Sequence, residues 1–190
     1  MKLVLLAAGA SRRMRGADKL LQEVDGLPLL RRQVLALLAT GAGPVGVTLP
    51  CDDTARHRVL DGLSVTVIPV PDAAQGMSAS LRAAADWAQD QPLLVCPADM
   101  PELTSKDFAR LIASYDGMRP ARATAQDGTP GHPVVFPANL LPLLGKLTGD
   151  EGARSVLNAH PPQLIALPAH HATTDLDTPE AWTDWRAKRP

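Results

Sequence analysis

In the first half of the chain the apolar residues fall into short, nearly continuous runs, Leu3–Ala7, Val45–Leu49, Val65–Val70 and Leu93–Cys96. Runs this short, without polar alternation, are the pattern of strands buried on both faces, and they predict a parallel sheet. Between them the apolar positions recur at helical spacing. Leu29, Leu30, Val34, Leu37 and Leu38 follow Pro28, a weaker segment covers Asp53–Leu60, and Met77, Leu81, Ala84, Ala85 and Ala88 form a third stripe. Strand and helix alternate, so the expected class is α/β. Thr104 and Asp107 have capping-box spacing, with Asp in place of Glu, and open a helix running to Tyr115. Beyond it the pattern loosens. Pro130-Gly131-His132-Pro133 leads into the run Val134–Phe136, and small helices are expected near Leu140 and over Gly152–Leu157. With neither repeat nor linker, residues 1–190 read as one domain.

The 190 residues are 45% apolar and 21% charged, with a net charge of −1. A chain of this size buries roughly 70% of its extended surface, enough for one core. The balance excludes a disordered chain and argues against a nucleic-acid binder that works by bulk positive charge. Three Trp, two Phe and one Tyr are too few rings for a stacking platform, so the core is expected to be aliphatic. Cys51 and Cys96 lack the paired spacing of a zinc site or a disulfide framework, which points to a reducing, cytoplasmic compartment. No run approaches the ~20 apolar residues of a membrane span, so neither a membrane nor a nucleic acid is an expected partner. Lys2, the run Leu3–Ala8 and Gly9-Ala10-Ser11 imitate a short signal peptide, but Arg12, Arg13 and Arg15 follow at once. A buried first strand is the expected reading.

The segment after that strand carries the strongest chemistry: Leu6-Ala7-Ala8-Gly9-Ala10-Ser11-Arg12-Arg13-Met14-Arg15-Gly16-Ala17-Asp18-Lys19. Small residues at 7 to 11 let the backbone approach a ligand, and exposed amides in such a turn make an anion-binding concavity. Arg13 and Lys19 would add charge-assisted bonds, each typically worth about 1.5–3 kcal/mol. Solvated surface arginines are the competing account. Position favours the first, because ligands of open α/β sheets sit beyond the carboxyl ends of the strands. Gly9 stands alone before Gly16 and no Gly-Lys-Ser/Thr triplet follows, so the loop is neither a dinucleotide fingerprint nor a P-loop.

Several further pieces occur in order: Gln75-Gly76-Met77-Ser78-Ala79-Ser80-Leu81, Ala98-Asp99-Met100-Pro101, Gly131-His132-Pro133, Gly149-Asp150-Glu151-Gly152-Ala153-Arg154 and Asp175-Leu176-Asp177-Thr178-Pro179-Glu180. With the first loop, they make the chain, from Leu6 to Trp182, resemble the nucleotidyltransferases of molybdenum-cofactor maturation, in particular the molybdenum cofactor cytidylyltransferases. The first loop alone fits other cytidylyl and sugar-phosphate transferases and identifies only the superfamily. The resemblance implies a Rossmann-like three-layer α/β/α sandwich with a mostly parallel sheet. It also implies transfer of CMP from CTP to the phosphate of molybdopterin or the molybdenum cofactor, with magnesium and with release of pyrophosphate. A molybdoenzyme or its chaperone would then receive the product.

Asp99 follows the fourth predicted strand, at the same edge as the loop, and is the type of isolated carboxylate that holds magnesium beside substrate phosphates. An Asp before Met-Pro is equally a turn former. Asp175 and Asp177 would face one side of an extended segment, and the resemblance favours Asp177 as the metal partner of Asp99. Residues 177–180 are also a good helix start, with Asp177 or Thr178 as the cap. The resemblance assigns Leu6, Ala7, Ala8, Gly9, Ala10, Ser11, Arg13, Lys19, Ser78, Ser80 and Asp99 to the nucleotide, with Arg13, Lys19 and Asp99 carrying the catalysis. Helix capping competes for Ser78 and Ser80. His132 and Asp175 are candidates for the pterin side, although a lone His is more often structural. His57, His160, His170 and His171 read as surface, Cys96 and Met14 as packing.

Ala8 favours CTP by resemblance, since the guanosine users typically carry Gly there. A guanylyltransferase of the same cofactor and a sugar-phosphate nucleotidyltransferase are the enzyme alternatives. A nucleotide sensor or cofactor chaperone that binds without turnover is the alternative from another class.

Overall fold

The computed structural model describes residues 1–149 and 152–189, so Asp150 and Glu151 of the Gly149–Arg154 piece lie outside the described residues. In chain order the elements are β1 (Lys2–Leu6), β2 (Glu23–Val24), β3 (Leu27–Pro28), α1 (Leu29–Leu38), β4 (Val45–Leu49), α2 (Thr54–Arg58), β5 (Thr66–Pro69), α3 (Met77–Ala88) and β6 (Leu93–Pro97). There follow α4 (Ser105–Ser114), β7 (Ala121–Thr124), β8 (Pro130–Phe136), α5 (Leu141–Leu144), α6 (Arg154–Ala159), β9 (Gln163–Ala166) and α7 (Pro179–Ala187). The first four strands predicted from apolar runs are β1, β4, β5 and β6, and the capping box at Thr104 and Asp107 forms at the start of α4.

Seven strands make one sheet in the order β5-β4-β1-β6-β8-β7-β9. All its pairings are parallel except those of β8, which runs against both β6 and β7. From β1 the chain first adds strands on one side, β4 and β5, and then crosses to the other with β6. That reversal opens a crevice between the loops after β1 and β6, where open α/β sheets bind ligands.

Alternation along the strands feeds two apolar layers. Leu3 and Leu5 face α1 and α4 through Leu30, Val34, Leu37, Phe108 and Leu111. Val4, Val95, Val134 and Phe136 face α3, α5 and α6 through Leu81, Ala84, Leu144 and Leu157. The result is the expected α/β/α sandwich. A separate cluster of Met14, Val24, Leu29, Leu176, Trp182 and Trp185 fastens α7 to the segment after β1. The core is aliphatic apart from Phe108, Phe136, Trp182 and Trp185, the first three among its largest fully buried side chains. No helix among the described residues is long and apolar enough to cross a membrane.

The run Val134–Phe136 extends backwards to Pro130 as β8. Its first turn is fixed by close approach: the His132 amide donates to the Ala172 carbonyl at 2.8 Å, and a Cβ on Gly131 would stand 1.8 Å from that carbonyl oxygen. Gly131→Ala therefore forces backbone apart in a packed region, which destabilises by about 1–3 kcal/mol. At roughly 2–4 °C per kcal/mol for a chain of this size, thermal unfolding should show a drop of several degrees, and an unchanged midpoint would contradict the contact.

Candidate functional site

The loop after β1 takes its shape from a residue that the sequence pattern does not single out. Arg56, in the middle of α2, is buried, with its guanidinium beneath the loop. It donates to the carbonyls of Ala7 (2.6 Å) and Gly9 (2.8 Å) and to Ser11 Oγ (3.3 Å). It also pairs with Asp18 (2.7 and 3.0 Å) and Asp53 (3.1 Å). With the carbonyls turned down to Arg56, the amides of Ala8, Gly9, Ala10 and Ser11 have no acceptor among the described residues. Ser11 adopts φ 47°, in the left-handed region. A Cβ on Gly9 would meet no protein atom within 4 Å. Unpaired amides over open space are the anion-binding concavity expected from the small residues.

That concavity is one wall of a cavity of about 590 Å³. Leu6, Ala7, Ala8, Gly9, Ala10, Ser11, Arg13, Lys19, Ser80, Asp99 and Asp177 all line it, so most of the predicted nucleotide residues come together. The two sides of the crevice are tied by the Ala98 amide, which donates to the Leu6 carbonyl at 3.1 Å. Lys19 spans the cavity: its Nζ donates to Asp99 Oδ2 and, at 2.7 Å, to Asp177 Oδ1. Arg13 Nη2 reaches Asp177 Oδ2 at 2.6 Å. Burial alone would push the Lys19 ammonium down, but Asp99 and Asp177 outweigh it and hold its pKa above the usual lysine value. Asp99 Oδ1 is buried and has no hydrogen-bond partner among the described residues.

The helix-start ambiguity at 177–180 is resolved by Thr178. Its Oγ1 accepts from the Ala181 amide at 3.2 Å and caps α7, leaving Asp177 to the cavity. Leu176, beside it, is buried in the cluster with Met14 and Trp182, so apolar packing sets the position of the carboxylate. Asp175 is exposed and lines neither this cavity nor its neighbour. Burial, then the charges of Asp177 and Asp99, raise its pKa.

Ser78 departs from expectation. It is buried, is absent from the cavity wall, and donates its hydroxyl to the Gly149 carbonyl at 2.6 Å. Neither serine caps α3, whose N-cap is Gly76 at φ 98°. The reason is reach: Ser78 and Ser80 lie on different faces of the first turn, and only Ser80 looks into the crevice. His132 stands in the neighbouring cavity, not in this one. His171 is not a free surface side chain either, because its Nδ1 lies 2.9 Å from Asp107 Oδ2. Cys96 is buried, and burial, then the Asp99 charge, push its thiol well up, in keeping with packing.

Removing the Arg56 guanidinium takes the cation from Asp18 and the donor from two backbone carbonyls. Breaking such a buried pair costs about 3–5 kcal/mol. Arg56→Ala should lower the unfolding midpoint sharply and weaken nucleotide binding, and wild-type binding by a folded variant would remove the loop from the site. Burial raises the Asp18 pKa, but Arg56, the Leu20 amide and Ser11 outweigh it and leave it below 3.8. The stabilisation by this carboxylate is therefore complete above about pH 3.8 and fades as the pH falls through the lowered folded value. Acid titration of the wild type against Asp18→Asn should reveal it.

The model of the MobA-like NTP transferase domain matches residues 3–164. The chain is 34% identical over 137 residues to a molybdenum cofactor guanylyltransferase of Nitrobacter hamburgensis, covering 70% of this chain and 64% of that one. It is 29% identical over 133 residues to the molybdenum cofactor cytidylyltransferase of Escherichia coli, covering 70% and 67%. A third relative, named nicotine blue oxidoreductase, from Paenarthrobacter nicotinovorans, is 30% identical over 190 residues, covering 93% and 92%. Among solved structures, an Rv0371c homologue from Mycobacterium sp. strain JC1 superposes with a TM-score of 0.78 at 27% identity, covering 98% and 94%. The match to the domain model, which runs from β1 into β9 and takes in the loop, Lys19 and Asp99, means that this chain belongs to the MobA-like NTP transferase family.

Proposed function

We propose that the chain transfers CMP from CTP to the phosphate of molybdopterin or the molybdenum cofactor and releases pyrophosphate. The observation that carries this reading is the Lys19 ammonium shared by Asp99 and Asp177 beneath a wall of unpaired amides. A polyphosphate needs such donors, and a divalent ion needs such carboxylates. Relatives named for transfer to the molybdenum cofactor support the acceptor. The free thiols Cys51 and Cys96 suit a cytoplasmic setting.

In this scheme an oxygen of the acceptor phosphate attacks the α-phosphorus of CTP, the bond from that phosphorus to the bridging oxygen breaks, and pyrophosphate departs with the electron pair. The amides of Ala8 to Ser11 hold the nucleotide phosphates in line. Arg13 and Lys19 meet the charge gathering on the leaving group. No covalent enzyme intermediate is required. The donor set fits magnesium, which takes one or two carboxylates and leaves its other positions to water and phosphate. Asp99, with a buried oxygen free of partners among the described residues, and Asp177 would hold it. Among the described residues no third metal-binding side chain joins them. The ion, when bound, neutralises phosphate charge.

Base choice rests on residue 8. Ala8 is buried against Val70 and Ala79, so its methyl thickens the wall between the loop and α3. That leaves less room for a purine, and CTP is the assigned donor. The guanylyltransferase relative favours GTP as the second reading, and the nearly full-length match to a protein named an oxidoreductase favours redox turnover as a third.

Asp99→Asn should reduce pyrophosphate release from CTP with molybdenum-cofactor acceptor by at least a hundredfold at saturating magnesium. Wild-type release by that variant would overturn its role. With CTP and GTP supplied together, cytidylylated product should predominate. Predominant guanylylation would reverse the base assignment, and electron transfer without pyrophosphate would replace the reaction class.

A further inference from the structure

Another wall of the first cavity is the start of α3, where Gly76, Met77 and Ser80 line it. The apolar contact behind that wall is slight. Ala8, Val70 and Ala79 form a small buried cluster of their own, with Ala73 packed on it. Ala73 opens a short turn, Ala73–Gln75, and the chain passes from that turn into α3 through Gly76 at φ 98° and ψ −165°. Only glycine adopts such a conformation readily, and glycine brings no side chain to stiffen the joint. The position of the turn therefore falls to contacts made by its neighbours.

Those contacts converge on Arg82, in the second turn of α3. Its Nη2 donates to the Asp72 carboxylate and, at 3.1 Å, to Gln75 Oε1, so the turn is held at its start and at its end. Its Nη1 donates to the Leu147 carbonyl at 2.7 Å and to Ser78 Oγ at 3.2 Å. Ser78 extends the tie, since its hydroxyl donates to the Gly149 carbonyl. The guanidinium is planar with its donors at fixed spacing, and it refers Asp72, Gln75 and Leu147 to one rigid plane. Arg82 itself lines neither this cavity nor its neighbour. Whatever it does for a ligand, it does through the turn.

We propose that Arg82 is a positioning residue for the choice of base: by clamping the turn before α3 it fixes how closely that wall approaches the loop after β1, and so the width of the slot offered to the nucleotide. The inference rests on the nucleotidyl-transfer reading above and deepens it. Ala8 narrows the slot from one side, and Arg82 keeps the opposite side from yielding. A slot selects by size only while its walls hold still, because a wall free to retreat accepts a purine and a pyrimidine alike.

Calorimetric titration of the full chain with CTP and with GTP reads both affinities and their ratio. Arg82→Ala should weaken the preferred nucleotide by about tenfold, the effect of one lost charge-assisted bond. It should also move the ratio about fivefold toward unity, as expected when a size filter relaxes. Arg82→Lys keeps the charge without the fork and should recover part of both. Asp72→Ala should act in the same direction, and in combination with Arg82→Ala it should add little, because the two remove one clamp. A mere loss of stability would lower the melting point and leave the ratio where it was. If Arg82→Ala does not fold, as judged by its melting curve, Arg82→Lys and Asp72→Ala decide. Equal affinities in the wild type, or a ratio unmoved in the folded variants, overturn the role of Arg82. A wild type that binds neither nucleotide overturns the transfer reading and this inference with it. A wild type that prefers GTP reverses only the base assignment, and a ratio that then falls in the variants still upholds the clamp.

Discussion

One ammonium group holds the cavity together. Lys19 comes from the segment after β1, Asp99 from the end of β6 and Asp177 from the approach to α7, and the three meet only through its Nζ. Two carboxylates this close repel each other, and the shared cation offsets that repulsion in a partly buried place where water screens poorly. The same arrangement is an exchangeable one. A polyphosphate offers Lys19 a stronger anion, and a divalent ion offers the carboxylates a stronger cation, so both partners of the resting contact can be handed on together.

Neither charge reaches that point by electrostatics alone. The buried cluster of Met14, Leu29, Leu176 and Trp182 supplies the apolar contact that brings the chain end back to the first loop, and Asp177 follows Leu176. Arg56 works from beneath, drawing the carbonyls of Ala7 and Gly9 inward so that the amides are left over for a ligand. Hydrophobic burial sets the distance, and a buried guanidinium sets the polarity of the loop.

The first half of the fold was legible because β1, β4 and β6 are buried on both faces and are accordingly apolar at nearly every position. β7, with the sequence Ala-Arg-Ala-Thr, and β9, an edge strand with exposed Leu164, carry no such signal, and their pairing depends on partners distant in sequence. Asp99 could be read from its place beyond a strand end, Arg13 and Lys19 from the loop after β1, and Asp177 from the resemblance. Arg56 could not, since two of its partners are backbone carbonyls, which leave no trace in a list of side chains, and Asp18 and Ser11 lie about forty residues away in sequence. The only local hint was Asp53, whose carboxylate caps α2 and pairs with the same guanidinium. Ser78 misled for the complementary reason: a hydroxyl at a helix start looks alike whether it faces a ligand or the carbonyl of a distant glycine.

The reversed strand β8 has a consequence for how such a protein can change. Because it runs against its neighbours, its beginning, at Gly131 and His132, lies where the others finish. One rim of the sheet is therefore assembled from two stretches of chain, an early one made of the loops after β1 and β6 and a late one beyond residue 120. Mutation can redraw the late stretch while the early one stays as it is, so descendants of one ancestor can reshape one wall of the rim and keep the other.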